Sequence, residues 1–290
     1  MLYVSDQQRH LVVEFEALTR ATTWRESSPS WPAGNLRQPA GIACAPEGRL
    51  IVADRGHHRI VVFSPDRAAA DVLAPDRDAI GALWQPTGVA LGPAGELLIA
   101  DTGNHRIVRC ESLDKPSWSA YGTAGLGEGQ FSAPTGVAVD ATGRITVADP
   151  GAGRVVRLSG MDGADWNEVP LPPSAAQPRP YGIAIKFGGV LIADSGTSRV
   201  LLLATDAAGG ESVSVLIDGA ADGSLIAPVA ALEWSDALLV ADPAGASIAE
   251  FAPPLDGGAW TLLRRLYGQR APFPSPPFAR IGGLMAGGAL

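Results

Sequence analysis

Short apolar runs along the chain stop at an aspartate: Leu2-Tyr3-Val4-Ser5-Asp6, Leu50-Ile51-Val52-Ala53-Asp54, Leu97-Leu98-Ile99-Ala100-Asp101, Ile145-Thr146-Val147-Ala148-Asp149, Val190-Leu191-Ile192-Ala193-Asp194 and Leu238-Leu239-Val240-Ala241-Asp242. The aspartates lie 48, 47, 48, 45 and 48 residues apart. Such runs read as short apolar strands. A period in this range, built from short β-rich segments, marks a propeller or another repeat array. A second landmark stands 14 or 15 residues before each of the later aspartates: Pro39-Ala40-Gly41, Pro86-Thr87-Gly88, Pro134-Thr135-Gly136, Pro180-Tyr181-Gly182 and, without the glycine, Pro228-Val229-Ala230. Proline donates no ladder hydrogen bond and suits the start of a strand. The glycine allows the close backbone approach that the centre of a radial array demands. Five residues after four of the aspartates, Arg59, Arg106, Arg154 and Arg199 open a third strand, and a less regular fourth strand follows.

Four strands per unit predict an all-β propeller of four-stranded antiparallel blades. Leu2–Asp6 reads as a second strand with no first strand before it, and residues 278–288 as a first strand with nothing after. Joined, they predict six blades in a ring closed by a blade shared between the termini, which removes exposed strand edges. The expected organisation is one domain over 1–290: a shared blade from 2–27 and 278–288, then blades at about 39–76, 86–122, 134–172, 180–219 and 228–268.

The segment from Tyr121-Gly122 through Gly127-Glu128-Gly129-Gln130-Phe131-Ser132-Ala133-Pro134-Thr135-Gly136-Val137-Ala138-Val139-Asp140 to Ala148-Asp149 resembles a complete repeat of the NHL family. Asn104-His105-Arg106-Ile107 matches the turn from which that family takes its name. The resemblance spans nearly the whole chain and implies a six-bladed propeller. It implies no single activity, since similar propellers include protein- and RNA-binding scaffolds, receptor sensor domains and a metal-dependent lyase.

Composition narrows the class. No stretch approaches the roughly 20 apolar residues of a membrane span. The first residues lack the basic and apolar regions of a secretory signal, so a cytoplasmic location is the default expectation, for an intact protein or an excised domain. A net charge of −8 disfavours nonspecific attraction to nucleic acid or anionic membrane. Cys44 and Cys110 fall on strands of different blades, so they read as core thiols and not as a disulfide framework.

Candidate chemistry is sparse. Asp6, Asp54, Asp101, Asp149, Asp194 and Asp242 recur in every unit, whereas an enzyme site is singular; they read as turn acceptors that also reach the arginine five residues on. His10, His58 and His105 occupy equivalent turns of successive units, and rotation about the ring axis carries them apart, so they read as turn residues and not as a zinc site. No nucleophile elbow or phosphate loop is present. The glycine-rich segment 122–129 reads as a flexible connection between blades.

Positions where one blade breaks the repeat are more informative. Arg179 and Tyr181 flank the proline of one blade where the others carry small or neutral residues, and Trp31, Arg37, Arg55, Trp84 and Phe131 belong to the same loop-bearing face. Arginine and aromatic side chains gathered on one face resemble binding anchors. The leading expectation is a binding module that takes a protein or peptide partner on this face. The rivals are a lyase or hydrolase in the central pocket and an RNA-binding propeller. No cofactor is predicted; the enzyme reading would call for a divalent ion in the channel. A small-molecule ligand ranks below a protein partner, and nucleic acid below both.

Overall fold

The computed structural model describes residues 1–15, 24–26, 34–75, 80–186, 189–206, 208–245, 247–254, 259–267 and 281–286. The chain is a β-propeller of four-stranded antiparallel blades. The Pro39 blade consists of Pro39–Cys44, Leu50–Asp54, Arg59–Phe63 and Ala70–Leu73, paired in chain order. The same order repeats in the Pro86 blade (Pro86–Leu91, Leu97–Asp101, Arg106–Cys110, Trp118–Tyr121) and the Pro134 blade (Gly136–Val139, Ile145–Asp149, Arg154–Leu158, Asn167–Val169). It repeats again in the Pro180 blade (Pro180–Lys186, Gly189–Asp194, Arg199–Thr205, Glu211–Asp218) and the Pro228 blade (Ala230–Trp234, Ala237–Asp242, Ser247–Ala252, Thr261–Tyr267). A composite sheet takes Ile281–Ala286 from one end of the chain and Leu2–Asp6, Leu11–Phe15 and Trp24–Glu26 from the other; Val4 pairs with Leu284 and Tyr3 with Met285.

The uninterrupted apolar runs follow from burial of both faces of each second strand. Side chains alternate across a strand. Ile51 and Ala53 enter the seam that also holds Leu97, Ile99 and Val108, while Leu50 and Val52 pack with Tyr3 and Val12 on the other side. Leu98 and Ala100 meet Val137 and Val147, and Leu2 and Val4 meet Leu239 and Ala241. A polar residue at either parity would sit inside a seam. Third strands contribute the large plugs Phe63 and Phe251, both fully buried. Each such side chain contributes about 1.5–3 kcal/mol through burial.

First strands meet around the axis, where the glycines are required. A Cβ on Gly136 would sit 2.6 Å from the Tyr181 carbonyl oxygen. Cβ atoms on Gly41, Gly88 and Gly182 would overlap the carbonyl oxygens of Thr87, Thr135 and Val229 in the same way. The contact therefore steps from the Pro39 blade through successive blades to the Pro228 blade. Hydroxyls follow the same path: Thr87 Oγ1 donates to the Thr135 carbonyl at 2.9 Å and Thr135 Oγ1 to the Tyr181 carbonyl at 2.8 Å. Ser5 Oγ donates to the Ala40 carbonyl at 2.5 Å.

A Gly88→Ala substitution should therefore lose about 1–3 kcal/mol by overpacking against backbone. Gly143→Ala is the comparison: its φ of 86° is strained for alanine, but nothing lies within 4 Å of the new methyl. Urea unfolding should give Gly88→Ala the larger loss; the reverse order would contradict the close approach at the axis.

Candidate binding face

All six repeat aspartates are buried, at 0–2% exposure. Their carboxylates do more than close their own hairpins. Asp54 Oδ1 accepts the backbone N–H of Arg37 at 2.7 Å, and Asp101 Oδ1 that of Trp84 at 2.6 Å. Asp149 accepts Ser132 and Ala133, Asp194 accepts Arg179, and Asp242 accepts Ile226 and Ala227. In each of these blades the aspartate ends the second strand beside the start of the first, so one carboxylate fixes the loop that leads into the blade. Asp6 accepts the N–H groups of Gln8 and Arg9 in its own turn.

The arginines hold the same loops from the carbonyl side. Arg106 pairs with Asp101 at 2.8 Å and also donates to the carbonyls of Ile80, Gly81 and Ala82. Arg154 donates to Leu126, Gly127 and Gln130, and its Nε stands 3.6 Å from Asp149. Arg59 bonds Asp54 at 2.7 Å. The expectation that every such arginine reaches its aspartate fails at Arg199. Its guanidinium bonds Asp218 at 2.9 Å and the Pro173 carbonyl, while Thr197 Oγ1 donates to Asp194 instead. Asp218, paired directly across from Arg199 on the fourth strand, supplies this arginine with a carboxylate of its own.

The turn histidines are latches between blades. His10, His58 and His105 adopt left-handed backbone, at φ of 61°, 57° and 55°. His10 Nδ1 accepts the N–H of Gln38 and His58 Nδ1 that of Gln85, both at 3.0 Å and both from the following blade. His105 Nδ1 meets the Ser132 carbonyl at 2.6 Å, and Ser198 Oγ in the equivalent turn donates to the Ile226 carbonyl at 2.6 Å. Their reading as turn residues is thus extended: each ties its turn to the next lead-in loop.

Held in this way, the lead-in loops carry the sequence-predicted candidates to different fates. Trp84 is 51% exposed and stacks on His58, with ring centroids 4.1 Å apart and planes 11° from parallel. Arg37 and Arg179 are exposed, and Arg55 is half-buried. Tyr181 lines the central cavity. Phe131 is fully buried among Leu98, Val137 and Val147 and against Tyr121 and Trp166, so it is a core residue and not a surface anchor. Its strand position at the end of the lead-in loop turns the ring into the seam. Trp31 lies outside the described residues. The segment 122–131 is not a loose connection: Thr123–Ala124 and Gln130–Phe131 form a parallel pair, and Arg154 clamps it from beneath.

Ile226 and Leu126, both on loops that lead into blades, are exposed apolar residues that escaped the sequence reading. Ile226 is 57% exposed and Leu126 66%. Ile226 stands two residues before its proline, as Arg37 and Trp84 do, and that alignment was the available signal.

The channel holds a cavity of about 80 Å³. It is lined by glycines, small apolar residues, Thr87, Thr135 and Tyr181; among the described residues the lining carries no carboxylate, imidazole or thiol. Among those residues, too, no three His, Cys, Asp or Glu side chains gather as a metal would need. Burial pushes the Cys44 thiol up to about 11, and burial also raises Cys110, opposite to the depression that activates a nucleophile. Among the described residues no helix is long and apolar enough to cross a membrane.

Comparison with known proteins agrees with this fold. Residues 36–63 and 83–110 match the NHL repeat, so the chain carries NHL repeats over the lead-in loops and first three strands of two blades. No curated protein matches the sequence. A chain in the crystal structure of the nidogen/laminin complex superposes with a TM-score of 0.70 at 15% identity, covering 98% of this chain and 96% of that one. A streptogramin B lyase gives 0.58 at 16% identity, covering 93% and 76%. Virginiamycin B lyase from Staphylococcus aureus gives 0.57 at 19%, covering 78% and 69%. At these identities the likeness is one of fold.

The hydrogen-bond pattern sets a stability order. Asp101→Ala should cost about 1–3 kcal/mol by leaving buried donors unpaired. Arg106→Ala, which strips a buried carboxylate of its partner, should cost a similar amount. Arg199→Ala should cost under about 1 kcal/mol, because its partner Asp218 is partly solvated. Chemical denaturation of the three variants checks this, and an Arg199 loss as large as that of Arg106 would contradict it.

Proposed function

We propose that this chain is a binding module that takes a protein or peptide partner on the face formed by the lead-in loops and second-to-third-strand turns. The observation that carries the reading is a held backbone that presents solvent-exposed side chains on that face. Buried aspartates and latching turn residues immobilise the loops, while Arg37, Trp84, Arg179 and Ile226 project from them. Binding to preorganised anchors avoids much of the ordering cost of association. That a similar propeller occurs in the nidogen/laminin complex supports a protein partner as the class of ligand. Arg179, Tyr181, Arg37, Arg55 and Trp84 are the proposed contact residues.

We also propose that the face encircles a closed ring of six blades within a single domain, the composite sheet being the blade shared by 2–27 and 278–288. Its support is the packing of Leu2 and Val4 against the Pro228 blade and of Tyr3 and Val12 against the Pro39 blade. A closed ring makes the face one continuous surface around the channel.

Two outcomes are expected. An Arg179→Ala, Tyr181→Ala double variant should keep its melting temperature and bind a partner captured from extracts of its own cells at least about fivefold more weakly, as hot-spot loss implies. Full-strength binding by the folded variant would place the partner elsewhere. Deleting residues from Phe278 onward should cost more than about 4 kcal/mol, beyond the usual range of single substitutions, because an inner strand is lost. Unaltered unfolding of that truncation would refute the closed ring.

A further inference from the structure

We propose, building on the face assigned above, that the seam between the Pro39 and Pro86 blades is a subsite for an acidic peptide segment, with a carboxylate held between Arg37 and Arg55 and a neighbouring apolar side chain laid on Trp84. The indole is fixed from several sides. Its own N–H backbone group donates to Asp101 at 2.6 Å, one ring face rests on His58, and Gly103 lies so close that any Cβ there would overlap Cδ1. His58 is itself held, since its Nδ1 accepts the Gln85 N–H at 3.0 Å. The ring remains half exposed despite these contacts, so its uncovered surface is presented rigidly to solvent.

Two arginines on the same seam have no anionic partner among the described residues. Arg55 Nη2 donates to the neutral Gln85 Oε1 at 3.2 Å, and its buried Nε has no hydrogen-bond partner. Arg37 packs its aliphatic stem over Gly56, next in sequence to Arg55, and Gly56 donates to the Arg37 carbonyl at 2.7 Å. Among the described residues no carboxylate pairs with either guanidinium. The repeat aspartates of these two blades, Asp54 and Asp101, are fully buried and occupied by Arg59, His57, Asn104, Arg106 and backbone donors. Positive charge thus stands free on this seam although the chain as a whole carries −8. The planar guanidinium fork fits a carboxylate, and an exposed indole beside it supplies apolar contact at little entropic cost. The overall negative charge repels an extended polyanion, which favours an isolated carboxylate with an apolar neighbour over RNA.

The test is fluorescence anisotropy with labelled synthetic probes: a short peptide with a single aspartate flanked by leucine and phenylalanine, its counterpart with that aspartate replaced by asparagine, a lysine counterpart, and oligouridylate of matched length. The acidic peptide should bind best and weaken as salt is added. Arg37→Ala, Arg55→Ala and Trp84→Ala should each reduce its binding about tenfold, with the arginine variants unchanged in melting temperature. An Arg37→Glu, Arg55→Glu double variant should prefer the lysine peptide. Equal binding of the acidic and asparagine peptides, binding of neither, tighter binding of oligouridylate, or full binding by the folded arginine variants overturns the proposal. If the cellular partner is lost by variants of this face while the acidic preference is absent, the ligand chemistry is wrong and the face stands. If the partner is kept by all of them, the face itself is wrong.

Discussion

A buried carboxylate at the end of each second strand is the interaction on which the rest depends. In five blades it accepts a backbone N–H from the loop leading into that blade, and in three it also contacts an arginine that opens the third strand. A carboxylate with no solvent access is stable only when its oxygens are satisfied by donors. Loop geometry is therefore imposed by the charge, since any loop that moved away would leave the aspartate bare. The arginine completes the arrangement by taking the carbonyls of the same incoming segment, as Arg106 and Arg154 do.

Blade-to-blade order follows from two further constraints. Near the axis, glycines let one strand's Cα rest on the next strand's carbonyl. Further out on the loop face, the left-handed turn residue of one blade reaches the lead-in loop of the next, through a histidine nitrogen in three blades and a serine hydroxyl in another. The backbone of five lead-in loops is thus held by groups beneath it, through atoms that leave the identity of the outward side chains open. This division explains how Arg37, Trp84, Arg179 and Ile226 differ so widely at neighbouring positions of one repeat. It also separates what a substitution would change: the aspartates act on stability, the outward residues on recognition.

The repeat made much of this legible. Strand ends, the starting prolines and the axial glycines could all be read from spacing, because each is dictated by local chemistry that recurs in every unit. The aspartates were legible as scaffold for the same reason. Their main partners were not, since Arg37 and Trp84 lie 17 residues away from Asp54 and Asp101 and contribute only a backbone N–H, which has no residue identity to read. Arg199 shows the limit from the other side: its position in the repeat matched Arg106, yet it bonds the cross-strand carboxylate of Asp218, and Thr197 donates to Asp194.

The sequence by itself determined the strand periodicity, the four-stranded unit and the residues that could not be exposed, because alternation and burial act on each strand independently of its neighbours. The tertiary structure alone decided which side of a loop each aromatic took. Phe131 and Trp84 occupy lead-in loops of adjacent blades, but the parallel pairing at Gln130–Phe131 rolls one ring into a seam, while Gly103 and His58 prop the other at the surface. Only packing between blades distinguishes them, and such packing depends on residues far apart in the chain.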